Sequence, residues 1–165
     1  MKIKKFTAND AEFCYHTRTA AFKEKFIPEI GSNAAAIAGE AYQPEDYIRL
    51  ANSMQIFIIH EHDKREGFFT IKIVNCFTAE IPLIYISLDS LGQGYGSFAM
   101  RYIEQWLQQN QPQIKTIFLD TIIPKYNGGF YKKMGYRQSG SSFCTFGSLR
   151  IPAIRFEKSL SVDNW

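Results

Sequence analysis

The sequence lacks most of what would tie it to several common roles. Cysteine is scarce: Cys14, Cys76 and Cys144 are the only three, far apart and without paired spacing. Neither a disulfide framework nor a zinc or other metal site follows, and reduced thiols are the expectation. Charge of one sign is lacking too, at a net +3. The basic residues are scattered, and Lys2, Lys4 and Lys5 are the nearest thing to a run. Nucleic-acid binding wants a concentrated basic patch, and a solvated strand end accounts for these lysines. No apolar stretch of about 18 residues occurs, and the N-terminus carries lysines without an apolar signal segment. A cytoplasmic chain with no membrane contact is expected. Repeats and linkers are also missing, so the chain reads as one domain over residues 1–165, with 45% apolar residues to build a core.

What is present concentrates between Glu80 and Trp106, in EIPLIYISLDSLGQGYGSFAMRYIEQW. This reads as an apolar strand, a turn with Gly92, Gly94 and Gly96, and an amphipathic helix. Glycine lets backbone approach a ligand closely and adopts positive φ at little cost. A helix start behind such a turn offers unpaired N–H groups and a positive dipole end, a site for phosphate oxygens. The chain is therefore expected to bind a phosphorylated cofactor.

The remaining elements frame that segment. Lys2 to Phe6 reads as a first strand, and Thr7 or Asn9 as the cap of a helix reaching about Phe22. Its apolar or small positions are Ala11, Cys14, Tyr15, Ala21 and Phe22. The pattern dissolves from Lys23 to Gln43, as a helix or a loop. Pro44 suits the first turn of the next helix. Strands follow at Gln55–His60 and Gly67–Val74. Ile81–Leu88 is apolar at nearly every position, as a strand covered on both faces would be, with Pro82 hinting at an edge or bulge. Ala99, Tyr102, Ile103, Trp106 and Leu107 make the helical stripe after the glycine turn. Ile114–Asp120, a short helix around Gly128–Met134 and strands near Arg137–Thr145 and Arg150–Glu157 complete the order. The fold class is α/β, with a mixed, mostly antiparallel sheet of about six to seven strands flanked by helices.

Gly92–Ser97 alone leaves the ligand open, and a purely structural turn is one reading of it. GQGYGS lacks the Gly-Lys-Ser/Thr end of a Walker loop and has GxGxG rather than GxGxxG spacing. Asp120, closing the following strand, is placed like the acid that holds a ribose in dinucleotide folds, so a Rossmann-like nucleotide or S-adenosylmethionine enzyme competes. Against it, the turn comes after the chain's midpoint, with too few βα units behind it.

A second segment, PKYNGGFYKKMGY from Pro124 to Tyr136, narrows the choice. Together the two segments resemble the GNAT superfamily of acetyl-CoA-dependent N-acetyltransferases. That family carries a Gln/Arg-x-x-Gly-x-Gly/Ala turn after its fourth strand and a later helix with a phrase like FYxKxGF. Gly94 and Gly96 match the first motif. Phe130, Tyr131, Lys133, Gly135 and Tyr136 match the second, and element order agrees along nearly the whole chain. Two departures stand out. Leu91 falls where the family has Gln or Arg, and Pro124 falls where it has Asn, with Asn127 three residues on. Asn127 either caps the short helix or contacts the cofactor.

The resemblance implies acetyl transfer from acetyl-CoA to a primary amine of a small molecule or peptide by direct attack. The turn Gly92, Gln93, Gly94, Tyr95, Gly96 and Ser97 would hold the pyrophosphate. The strand Ile81–Leu88 would splay from its neighbour after Asp120 and offer backbone near Ile86 and Leu88 to the pantetheine arm. An amide near Ile86 could also polarise the thioester. Tyr131 falls on the position that protonates the departing thiolate, although a core-packing role is the alternative. Glu80 is a candidate base that regular alternation would place on one face with Ile84 and Ile86. An exposed strand-end carboxylate is its other reading, and Asp120 and a water chain are its rivals. His16, His60 and His62 carry no motif. Lys23–Tyr47 would wall the acceptor side, with Phe22, Phe26, Tyr42 and Tyr47 as an apolar pocket. Glu24, Glu29, Glu40, Glu45 and Asp46 would suit a cationic amine or peptide lysine there, and plain surface helix formation is the other reading of them. A homodimer is compatible with the resemblance, and a non-catalytic acyl-CoA-binding or protein-interaction module of the same fold stays open.

Overall fold

A computed structural model describes residues 1–160 of the chain. Its strands are β1 (Lys2–Lys5), β2 (Gln55–Glu61), β3 (Lys64–Asn75), β4 (Thr78–Glu80), β5 (Ile84–Ile86), β6 (Thr116–Thr121), β7 (Arg137–Phe146) and β8 (Leu149–Ser159). They join in the order β1-β2-β3-β4-β6-β8-β7, with β5 paired to β3 outside that path. Every pairing is antiparallel except β4 with β6. The mixed, mostly antiparallel sheet agrees with the sequence reading. The count of eight exceeds it, because the strand read as Ile81–Leu88 starts earlier and breaks in two. Pro82 lies at the break, with no N–H to give a ladder on either side.

The helices are α1 (Ala11–Ala21), α2 (Ile27–Ile30), α3 (Ser32–Gly39), α4 (Pro44–Leu50), α5 (Tyr95–Asn110) and α6 (Pro124–Lys133). Lys23–Gln43, patternless in sequence, is largely helical. A π-helical turn over Phe22–Phe26 joins α1 to α2. Such a turn inserts a residue and shifts the apolar phase, which hides the helix from a 3.6-residue template. It also brings Phe22 and Phe26 into a stack with centroids 3.9 Å apart. The alanine-rich α3 then forms on propensity.

The sheet has a core on each face. Ala99, Met100, Ile103 and Leu107 of α5 are fully buried against Phe69, Ile71, Ile117 and Leu119, and Tyr131 of α6 joins that cluster. On the other face α1 and its successors cover Ile58, Phe68, Leu83, Ile151 and Ala153. No helix among the described residues is long and apolar enough to cross a membrane.

Candidate active site

The sheet opens where β4 gives way to β5. The parallel ladder between β4 and β6 ends at Glu80 opposite Phe118, with Ile81 N–H donating to Phe118 O at 2.9 Å. Beyond it β6 continues to Thr121 paired with β8 alone, while β5 follows β3. The two strands thus part after Phe118, two residues earlier than Asp120. Leu83 O accepts from Thr70 N–H at 2.9 Å and Ser87 N–H donates to Glu66 O at 2.8 Å, with Tyr85 opposite Phe68 between them. Antiparallel strands alternate the direction of their backbone groups, so Ile84 and Ile86 turn N–H and C=O into the opening. Leu88 does not join them, because it starts a 3-10 turn over Leu88–Ser90.

The break at Pro82 also reverses side-chain parity. Ala79 and Ile81 belong to the α5-side core, and so do Ile84 and Ile86, whereas Leu83 and Tyr85 face the α1 side. Glu80, between Ala79 and Ile81, therefore shares a face with Tyr85 rather than with Ile84 and Ile86. The inserted residue overturns the regular alternation expected from sequence.

Two stapled contacts shape the turn that follows. A Cβ on Gly67 would meet Tyr85 O at 2.6 Å, so glycine lets β5 lie close on β3. The buried Glu66 carboxylate accepts from the buried Ser90 hydroxyl, which ties the turn back to β3. Gly92 and Gly94 have φ of 75° and 89°, and Gly94 is the N-cap of α5. A Cβ at Gly92 would meet nothing within 4 Å. At Gly94 it would meet only the Met1 methyl, at 3.8 Å. The turn leaves an open cradle before a helix start, which fits phosphate oxygens. Gly96 differs: its Cβ would press on Phe130 at 3.2 Å, so that glycine serves the packing of α5 on α6.

One cavity of about 820 Å³ joins these parts. At one end it is bordered by Leu91, Gly92, Gly94, Tyr95, Gly96 and Ser97, in the middle by Ile84, Ile86, Asp120 and Thr121, and at the far end by Arg18, Phe22, Phe26 and Tyr42. Tyr131, Glu80 and Asn127 also border it, whereas Leu88 and Gln93 do not. Gln93 instead donates to Asp89 O at 3.3 Å. Asn127 lies inside α6 rather than at its start, and its side-chain oxygen accepts from Thr121 Oγ1 at 2.8 Å. That leaves its amide nitrogen as a donor and removes the capping role. The cap comes from elsewhere in the chain. Glu29 of α2 accepts from the backbone N–H of Lys125 at 3.1 Å and of Tyr126 at 3.0 Å.

The titratable groups fall into distinct environments. Tyr131 is buried against Phe130, Tyr136 and Phe156. Burial, helped by Tyr85, pushes its phenol well above the ordinary value. Glu80 is half-buried and has no hydrogen-bond or ion-pair partner among the described residues. Burial raises its carboxyl above the usual range, Lys72 and Arg155 oppose that, and Asp120 adds to it. Asp120 is engaged: Arg155 donates from Nε at 2.9 Å and from a terminal nitrogen at 3.0 Å, and Ser142 donates at 3.2 Å. The lone pairs of Asp120 are taken up by Arg155 and Ser142, whereas those of Glu80 are free of protein partners among the described residues, which separates the two candidates.

The acceptor wall differs most from its sequence reading. Phe22, Phe26 and Tyr42 border the cavity, but Tyr47 is fully buried beneath it among Cys14, Ile58 and Phe68. None of Glu24, Glu29, Glu40, Glu45 and Asp46 borders it. Glu29 caps α6, Glu40 accepts from Tyr15 at 2.8 Å, and Asp46 accepts from Gln43 N–H at 2.7 Å. The charges present at this end are Arg18 and Lys25. Sequence reasoning passed over Arg18, although it falls between Cys14 and Ala21 on the buried stripe of α1, where a charged residue is the exception. Tyr85 was missed for lack of any local signal. His16 and His62 are exposed and His60 is buried, none of them at the cavity.

Residues 20–136 match the family model of the acetyltransferase (GNAT) family. Similar solved structures include a GCN5-related N-acetyltransferase from Rhodopseudomonas palustris, with TM-score 0.83, 12% identity, and 96% of this chain and 94% of that one covered. PaiA N-acetyltransferase from Thermoplasma acidophilum in complex with coenzyme A gives TM-score 0.79 at 17% identity, over 96% and 98% of the two chains. Ribosomal-protein-alanine N-acetyltransferase from Brucella melitensis gives 0.70 at 10% identity, over 96% and 99%. At these identities the likeness is one of fold. No curated protein sequence matches the chain.

Proposed function

Because the chain belongs to the acetyltransferase (GNAT) family and is an acyltransferase, we propose that it moves an acetyl group from acetyl-CoA to a primary amine by direct attack. The observation that carries this reading is the single cavity that leads from the glycine turn, through the opened sheet, past Tyr131 and Glu80. A coenzyme A complex of a similarly folded protein supports the donor class.

Each residue has a task that follows from its surroundings. The N–H groups at the start of α5 and the cradle at Gly92 and Gly94 hold the pyrophosphate without the side chain that Leu91 does not provide. Ile84 and Ile86 bind the pantetheine amides as a neighbouring strand would. The bound thioester supplies the electrophilic carbonyl, and fixed N–H donors on β5 stabilise charge developing on its oxygen. An alkyl ammonium with pKa near 10 needs a proton acceptor at neutral pH. Glu80, desolvated and without a partner, is that acceptor on the α1 face of the sheet. Tyr131, on the α5 side, stays protonated through the working range and donates to the departing thiolate, whose conjugate acid lies near 8.5. Acid and base on opposite faces let one amine enter while one thiol leaves. We assign this activity to a single domain spanning the chain.

The test is amine-dependent release of thiol from acetyl-CoA, with mass spectrometry of the acceptor. Gain of one acetyl per thiol released supports the reading; thiol release independent of any amine would refute it.

A further inference from the structure

Arg18 is 1% exposed, and a guanidinium cannot shed its charge to ease that burial. One terminal nitrogen donates to Ala38 O at 2.8 Å and to Gly39 O at 3.2 Å, at the end of α3. The guanidinium carbon lies 4.4 Å from the Phe22 ring centroid and 4.7 Å from that of Tyr42, with Phe146 and Tyr85 at 5.7 and 5.8 Å. Its Nε is buried with no partner among the described residues, and no carboxylate pairs with it. Carbonyl dipoles and ring faces offset part of the cost of a buried cation but neutralise none of its charge.

The position matters because this group borders the acceptor end of the cavity. Lys25 is the other charge there; none of the acids between Glu24 and Asp46 borders the cavity, and Glu29, Glu40 and Asp46 are turned to structural bonds elsewhere. Of the carboxylates on the cavity, Asp120 is held by Arg155 and Glu80 stands at the sheet opening. The acceptor end is thus cationic and aromatic, the reverse of a site for polyamines or lysine side chains.

We propose that the acceptor is an amino carboxylate with an apolar body, its carboxylate pairing with Arg18 while its amine reaches the opening beside Glu80. This rests on the acetyltransferase reading given above and narrows it to a substrate class. The carboxylate supplies the counter-charge that the fold omits, and Phe22, Phe26 and Tyr42 enclose the apolar part. Charge-assisted bonds to a guanidinium are strong and directional, so they can orient the amine as well as bind it.

The test compares acetylation of apolar amino acids with their carboxamides, and with a polyamine, by kcat/KM. The free acids should exceed the matched amides roughly 30-fold or more, the scale set by leaving a buried charge unpaired. Arg18→Met should collapse that ratio towards one, the acids losing far more than the amides, while stabilisation by acetyl-CoA stays as in the parent. Arg18→Lys keeps a charge without the fork, should retain part of the preference, and serves if the methionine variant does not fold. Preference for amides or polyamine, or an acid preference unchanged in both variants, would overturn the inference while leaving the acetyltransferase reading intact. No transfer to any amine and no stabilisation by acetyl-CoA would overturn both.

Discussion

Arg155 grips Asp120 through Nε at 2.9 Å and a terminal nitrogen at 3.0 Å. The Asp120 carboxylate is thereby committed to structure, which is why the proposed mechanism gives the proton-acceptor role to Glu80. Asp120→Asn should cost stability, on the order of 1–3 kcal/mol for a partly buried charged hydrogen bond. Its rate-versus-pH profile should keep the parent's shape. Chemical denaturation and kcat/KM across pH check the two halves separately, and a lost acid limb in this variant would return the base role to Asp120.

For Glu80 the expectation joins activity to stability. Burial holds its carboxyl above the ordinary range. Below the unfolded value the group is neutral in both states and the fold keeps its full stability. As pH rises through the raised folded value, the ionised form sits in a site that disfavours it, and stability is lost. Glu80→Gln should therefore melt at or above the parent's temperature at neutral pH, with the difference vanishing below about pH 4. Its kcat/KM should fall ~10²-fold at neutral pH and recover in part at high pH, where solution supplies free amine. A variant that is both less stable and fully active would refute the assignment.

Tyr131→Phe keeps the ring in its pocket and removes the proton. With acetyl-CoA binding unchanged, turnover should drop ~10²-fold or more wherever chemistry limits the rate. Single-turnover kinetics give the readout, and parent-like turnover would make Tyr131 a packing residue.

At Gly94, φ of 89° makes any side chain costly, about 1–2 kcal/mol, and a Cβ there would enter the cradle. Gly94→Val should stay folded but lose the rise in Tm that acetyl-CoA gives the parent. At a hundred times its Kd, ligand should stabilise the parent by roughly 2.7 kcal/mol. An equal rise in both proteins would place the phosphates elsewhere.

Much of this site was legible in the sequence because its signals are local. Gly92 and Gly94 mark a turn that needs positive φ, the α5 stripe is regular, and the Tyr131 phrase is one short stretch covering the end of α6 and the turn behind it. What escaped depends on pairing at a distance. Pro82 signals a break, but only the ladder to β6 shows that it flips Glu80 onto the face of Tyr85. Asp120 meets Arg155 across a strand pair 35 residues apart in sequence, and Glu29 reaches α6 from 96 residues away. The acids at Glu24–Asp46 fit a cationic-amine pocket by composition, but composition cannot show that none of them borders the cavity or that Glu29, Glu40 and Asp46 are spent on hydrogen bonds elsewhere. The π-helical turn at Phe22–Phe26 concealed the helices by shifting their phase.

The central claim is that the open edge of β5 receives the acetyl-carrying arm between Tyr131 and Glu80. A crystal structure with acetyl-CoA tests it most directly. The pyrophosphate should lie on Gly92–Ser97 and the pantetheine should bond to the backbone of Ile84 and Ile86, with the thioester sulfur within hydrogen-bond reach of the Tyr131 hydroxyl. Acetyl-CoA bound outside the opening, or a thioester remote from Tyr131, would contradict the account.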